Sequence, residues 1–129
     1  MEESAQPVRV FAGHEGQVRA LAFNPDGKLF ASGGDDKKLL IWSVDNGQVP
    51  LSALKAGKVI VAAASPGRTS LATGGALGAV RVWGWDAAQR WSKSKLDSKP
   101  KNVHTEDVVK VAFFLDGKTL LSASRDGTV

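Results

Sequence analysis

The chain repeats itself, and this limits what it can fold into more than any other property it has. Val18 to Phe23 reads as a short apolar strand, followed by Asn24-Pro25-Asp26-Gly27, then Lys28 to Gly34 and Lys38 to Trp42. A shift of 90 positions reproduces the pattern without a gap: Val108 to Phe113, Leu115-Asp116-Gly117-Lys118 and Leu120 to Ser124, with Ser122 matching Ser32 and Asp126 matching Asp36. A shift of 41 gives a weaker middle copy: Val59 to Ala64, Ser65-Pro66-Gly67, Leu71 to Gly75 and Val80 to Trp83. A unit of ~40 residues cannot bury its own apolar face, so neighbouring copies must cover one another.

Val, Leu, Ile and Phe in short runs, broken by Pro, Asp and Gly at turn positions, make each unit a set of strands. The expected strands are 18–23, 28–33, 38–42 and 48–53, then 59–64, 69–74, 79–83 and 88–94, then 108–114 and 119–124. Gly27 and Gly117 stand where a hairpin needs positive φ. The alanines of Val59 to Ala64 favour a helix, but Pro66 and the repeat register oppose it. Units two and three are spaced by 49 residues rather than 41, so eight extra residues lie between Trp83 and His104. Trp85-Asp86 is a literal Trp-Asp pair, yet Thr73 to Trp83 spans ten positions, as does Ser32 to Trp42, so Trp83 is the repeat tryptophan.

Gly13-His14 at the head of the first unit, Asp36 at its tight turn and Trp42 at its end resemble the Gly-His and Trp-Asp pattern of the WD40-repeat family. The resemblance covers residues 8 to 129. It implies an all-β fold of four-stranded antiparallel blades, here part of a β-propeller. It also implies a hydrogen-bonded tetrad of Trp indole, Ser or Thr hydroxyl, His imidazole and turn Asp. The tetrad positions are His14, Ser32, Asp36 and Trp42 in the first unit, Thr73 and Trp83 in the second, and His104, Ser122 and Asp126 in the third. The pattern is incomplete: Trp42 is followed by Ser43 and Trp83 by Gly84, Lys55 and Leu77 stand where unit two would have His and Asp, and unit three has no Trp before Val129. Blade 2 is therefore expected to rely on apolar packing. The expected organisation is a closing strand at 7–11, blade 1 at 13–54, blade 2 at 55–94, a basic inter-blade loop at 95–103 and an incomplete blade 3 at 104–129. On this reading the chain is an N-terminal fragment of a longer ring, the alternative being a ring assembled from several copies.

Composition narrows the chemistry. There is no Cys, so thiol nucleophiles, thiolate metal sites and disulfides are absent, and an intracellular, cytoplasmic or nuclear, setting is expected. The longest apolar run, Val59 to Ala64, is far short of the ~18 residues that span a bilayer. His14 and His104, with Glu15, Glu106 and Asp107 nearby, resemble candidate bases, but both occupy one repeat register and read as structural. Gly74-Gly75-Ala76-Leu77-Gly78 lacks the spacing and following Lys of a phosphate loop. Asp35-Asp36 has too few companions for a calcium site. No catalytic residue, metal, cofactor or small-molecule substrate is expected.

What remains is binding. By resemblance, partner contacts come from residues just before each inner strand and before the turn Asp: Gln17, Arg19, Asp35, Lys58, Asp107 and Arg125. The expected function is a non-catalytic scaffold that joins proteins through these rim loops. The alternative is an RNA-associated propeller using Arg90, Trp91, Lys93, Lys95, Lys99 and Lys101, where aromatic rings among cations suit stacking on bases and contact with phosphates. The net charge of +4 is too modest to decide between them.

Overall fold

The computed structural model describes residues 9–45, 49–66, 70–85, 91–93, 101–102 and 104–129. In chain order the strands are β1 Val18–Phe23, β2 Leu29–Gly34, β3 Lys38–Ser43, β4 Ser52–Lys55, β5 Val59–Ala64, β6 Ser70–Gly75, β7 Ala79–Trp85, β8 Trp91–Lys93, β9 Lys101–Asn102, β10 Val108–Phe113 and β11 Leu120–Ser124. A 3₁₀ turn, Ala76–Gly78, joins β6 to β7, and no α-helix occurs among the described residues. Every strand pairing is antiparallel. Blade 1 is β1-β2-β3-β4, blade 2 is β5-β6-β7 with β8 and β9 both on the free edge of β7, and blade 3 is the pair β10-β11.

The turns follow from local chemistry. Asp26 accepts the Lys28 N–H at 2.8 Å and Asp116 accepts the Lys118 N–H at 2.8 Å, so each carboxylate closes its hairpin. Gly27 and Gly117 have φ of +72° and +66°, as the turn requires. The inner strand of every blade shifts register at the same place, between Val18 and Ala20, Val59 and Val61, and Val108 and Lys110. Val59 to Ala64 is a strand, not a helix, because its backbone groups are used along β6.

Two elements differ from expectation. The fourth strand of blade 1 is Ser52–Lys55 rather than 48–53, so the link from β3 is longer, and Lys55 ends blade 1 opposite Lys38. The fourth strand of blade 2 is in two pieces. Trp83 faces Lys93, and an unbroken strand would then set Val80 against position 96; it faces Lys101, so the register of β9 is offset by five residues from that of β8, and positions 94–100 lie outside the described residues. The span 95–103 therefore contains β-structure belonging to blade 2. Of the expected closing strand, residues 9–11 pair with no strand, and positions 7 and 8 lie outside the described residues.

The core lies between blades. Ala20, Ala22, Ala31, Leu39 and Ile41 of blade 1 pack with Ala56, Val59, Leu71 and Trp83 into the first seam. Val61, Ala63, Ala72 and Val80 of blade 2 pack with Val108, Val111, Phe113 and Leu120 into the second. Each fully buried side chain of Leu or Ile size contributes ~1.5–3 kcal/mol. Two glycines set the approach: a Cβ on Gly33 would lie 2.7 Å from Val59, and one on Gly74 would lie 2.5 Å from Val108. Among the described residues no blade covers the other face of blade 1. There Phe11 packs edge-on against Phe30 and Trp42, with ring centroids at 4.8 and 5.5 Å. Val18, Leu21 and Phe23 are 50, 57 and 53% exposed, whereas the repeat equivalents Val108 and Val111 are 0 and 2% exposed against blade 2.

Candidate interaction rim and its supporting networks

One end of the blades carries the turns at Gly27 and Gly117; the other carries the residues singled out by the repeat pattern. In blade 1 the Trp42 indole N–H donates to Ser32 Oγ at 2.8 Å, and Ser32 Oγ lies 2.7 Å from His14 Nε2. His14 Nδ1 lies 2.8 Å from Asp36 Oδ2. The carboxylate fixes the tautomer: Nδ1–H donates to Asp36 and Nε2 accepts the Ser32 proton. Asp36 also accepts the N–H groups of Glu15 and Lys38, at 3.1 and 3.2 Å. Burial pushes the Asp36 carboxyl up, but the His14 bond and the two backbone N–H groups outweigh it and hold it below the usual range. The tetrad fastens the entry loop to β2, β3 and their turn.

Blade 3 builds a variant of this relay, without the Trp and with a Thr inserted between His and Asp. His104 Nε2 lies 2.8 Å from Ser122 Oγ, but Nδ1 meets Thr128 Oγ1 at 2.6 Å, and Thr128 donates to Asp126 Oδ1 at 2.5 Å. Asp126 Oδ2 stands 3.6 Å from the ring and accepts the Thr105 N–H at 2.8 Å. The hydroxyl of Thr128 and then the N–H of Thr105 hold the Asp126 carboxyl well below the usual range. Thr128 escaped sequence reasoning because its equivalent in blade 1 is Lys38, whose side chain instead reaches Glu15 at 3.4 Å. The usable signal was the Asp-x-Thr spacing, which lets the hydroxyl fold back onto the carboxylate. In blade 2, among the described residues, the relay is reduced to the Trp83 indole N–H to Thr73 Oγ1 bond, at 3.0 Å. Lys55 is exposed on β4, and Leu77 sits in the 3₁₀ turn at φ +59°.

At this end three equivalent backbone pairs form, two of them between expected partner residues and one between Lys58 and Ala76. Asp35 N–H donates to the Gln17 carbonyl at 3.0 Å, Ala76 N–H to the Lys58 carbonyl at 3.3 Å, and Arg125 N–H to the Asp107 carbonyl at 3.0 Å. Arg19 grips Asp35 with both arms of its fork, Nε to Oδ1 at 2.6 Å and an Nη to Oδ2 at 3.1 Å. Lys58 of blade 2 reaches the same carboxylate at 3.7 Å. The hydrogen bond from Arg19 draws the Asp35 carboxyl down, and Asp35 in turn raises the Arg19 guanidinium. Across the second seam the Leu77 N–H donates to Asp107 Oδ1 at 3.2 Å. Thus Asp35 and Asp107 each link two blades, a role the sequence did not reveal. Arg125 is exposed and forms no ion pair among the described residues.

Of the expected nucleic-acid residues, Arg90, Lys95 and Lys99 lie outside the described residues, while Trp91, Lys93 and Lys101 fall on β8 and β9. Among the described residues no group of three or more His, Cys, Asp or Glu could hold a metal ion. No helix among them is long and apolar enough to cross a membrane.

The repeat, the four-stranded antiparallel blade and the Trp–Ser–His–Asp relay together define a propeller-blade protein. The family described as WD domain, G-beta repeat matches residues 5–43 and 99–129, more than half of the chain, and the chain belongs to this WD40 family. The stretch between the two matches holds most of blade 2, where the His and Asp are replaced. The small ribosomal subunit protein RACK1 of Glycine max is 32% identical over 128 residues, covering 90% of this chain and 39% of that protein. RACK1z of Arabidopsis thaliana is 31% identical over 131 residues, covering 92% and 39%. Protein HIR1 of Eremothecium gossypii is 48% identical over 48 residues, covering 37% of this chain and 6% of its own length. The chain spans about two fifths of the length of the RACK1 relatives it matches.

Proposed function

We propose that this chain supplies part of a non-catalytic interaction scaffold, and that the rim of Gln17, Arg19, Asp35, Lys58, Asp107 and Arg125 is where a protein partner docks. The observation that carries the reading is the exposed charge network Arg19–Asp35–Lys58, which crosses from blade 1 to blade 2 at the surface. Its mixed signs suit recognition by charge complementarity and fixed register. Arg125, held by its backbone and without an ion pair among the described residues, offers the planar donor fork enriched among residues that dominate interface energies. The relatives that cover most of the chain carry the name of a small ribosomal subunit protein. That supports membership of a multiprotein assembly in an intracellular setting.

Affinity purification of the complete protein tests this. Arg125→Glu is expected to lose the captured partners without lowering the melting temperature, since its side chain is exposed and forms no ion pair among the described residues. Lys93→Glu with Lys95→Glu is expected to leave capture intact. If the double reversal releases the partners, or releases RNA in a steeply salt-dependent way, while Arg125→Glu changes nothing, the rim reading fails and the basic segment is the working surface.

A further inference from the structure

Blade 2 lacks the tetrad imidazole, and the structure shows what has come near its place. The residue opposite the tetrad hydroxyl on the third strand is Leu40 in blade 1, facing Ser32, and Arg81 in blade 2, facing Thr73. Leu40 is buried beside Phe30 and Trp42 and needs no polar partner. Arg81 Nε is buried and makes no hydrogen bond among the described residues. An unpaired buried donor costs about 1–3 kcal/mol, and native interiors seldom leave one so. Thr73 Oγ1 accepts the Trp83 indole N–H, so its own proton is free to donate, as Ser32 donates to His14 in blade 1. Both residues line one small cavity at the first seam, of about 10 Å³, walled also by Ala56, Lys58, Val59, Gly74, Gly75 and Ala79.

Two donors without an acceptor among the described residues call for one. The volume admits one particle of water size, at the lower limit of what a cavity must offer, and a bound water needs two to four polar partners. We propose that this cavity binds a single small hydrogen-bond acceptor, a water molecule or a halide ion, bridging Arg81 Nε–H and the Thr73 hydroxyl. It stands in for the absent imidazole of blade 2. The exchange is coupled: loss of the imidazole leaves the hydroxyl without an acceptor, and the guanidinium that replaces Leu adds a second donor to the same space.

Crystals of the protein grown in bromide instead of chloride, measured at the bromine absorption edge, distinguish the two sources. One density peak within hydrogen-bond distance of Arg81 Nε is expected. Anomalous signal at that peak identifies a halide, and its absence identifies water; either result supports the site. Arg81→Leu, which restores the blade 1 residue, should abolish the peak while Trp83 stays bonded to Thr73. A dry cavity, an Arg81 Nε bonded to a protein oxygen, or a peak that persists in Arg81→Leu overturns the proposal.

Discussion

Removing the hydroxyl at the centre of the blade 1 relay should cost about twice as much as removing its counterpart in blade 2. Ser32→Ala deletes one oxygen and leaves almost no cavity, so packing is nearly unchanged. It strands two buried groups: the indole N–H of Trp42, a residue 1% exposed, and Nε2 of His14, whose side chain is 7% exposed. Each group left unsatisfied costs about 1–3 kcal/mol, so a loss of about 2–5 kcal/mol is expected, short of full additivity because the two share one network. Thr73→Val, close in shape, strands only the Trp83 indole N–H within the protein, for about 1–3 kcal/mol. Urea unfolding followed by tryptophan fluorescence, on the complete protein with each single variant and the pair, measures both. Equal losses for the two, or a smaller loss for Ser32→Ala, would refute the claim that blade 1 is held by a full relay and blade 2 by a remnant.

Further outcomes follow from the same geometry. His14→Ala should lower stability by about 1–3 kcal/mol through its stranded partners, while Lys55→Ala, on an exposed strand position, should be almost silent in the same thermal melt. Gly74→Ala should destabilise by about 1–3 kcal/mol, because its Cβ would meet Val108 at the second seam and the blades must part; a companion Val108→Ala that fails to recover part of this loss would count against the seam contact. Asp36 and Asp126 both have carboxyls lowered in the folded state. Their contribution is therefore complete above the unfolded carboxylate value of ~3.9 and is lost as pH falls through the lower folded values. Acid titration of stability should show this loss below pH ~4, and Asp126→Asn should shrink it.

Periodicity was enough to read the blades from sequence. The inner strands β1 and β5 fall where the apolar runs stand, and Trp83 was separable from Trp85 by the ten-residue distance from the tetrad hydroxyl. What depended on backbone path was hidden. The fourth strand of blade 1 has no strong pattern, so its position was set by which residues could reach Lys38 to Ile41. The five-residue register offset between β8 and β9 on the edge of β7 is not marked by composition. The blade 3 network was legible for His104, Ser122 and Asp126 but not for Thr128, because the repeat comparison met Lys38 there. Arg19 was singled out as a partner contact without its grip on Asp35, since a sequence does not say which neighbour a rim cation meets first.

The most direct test of the rim as the working surface is hydrogen exchange of the complete protein, alone and with its captured partner. Two opposite ends of the blades compete as the footprint. Slower exchange on binding is expected at the loops around Gln17, Asp35, Lys58, Leu77, Asp107 and Arg125, with the hairpins at Asn24 to Lys28 and Phe114 to Lys118 unchanged. Protection confined to those hairpins, or to the strand pieces Trp91–Lys93 and Lys101–Asn102, would contradict it.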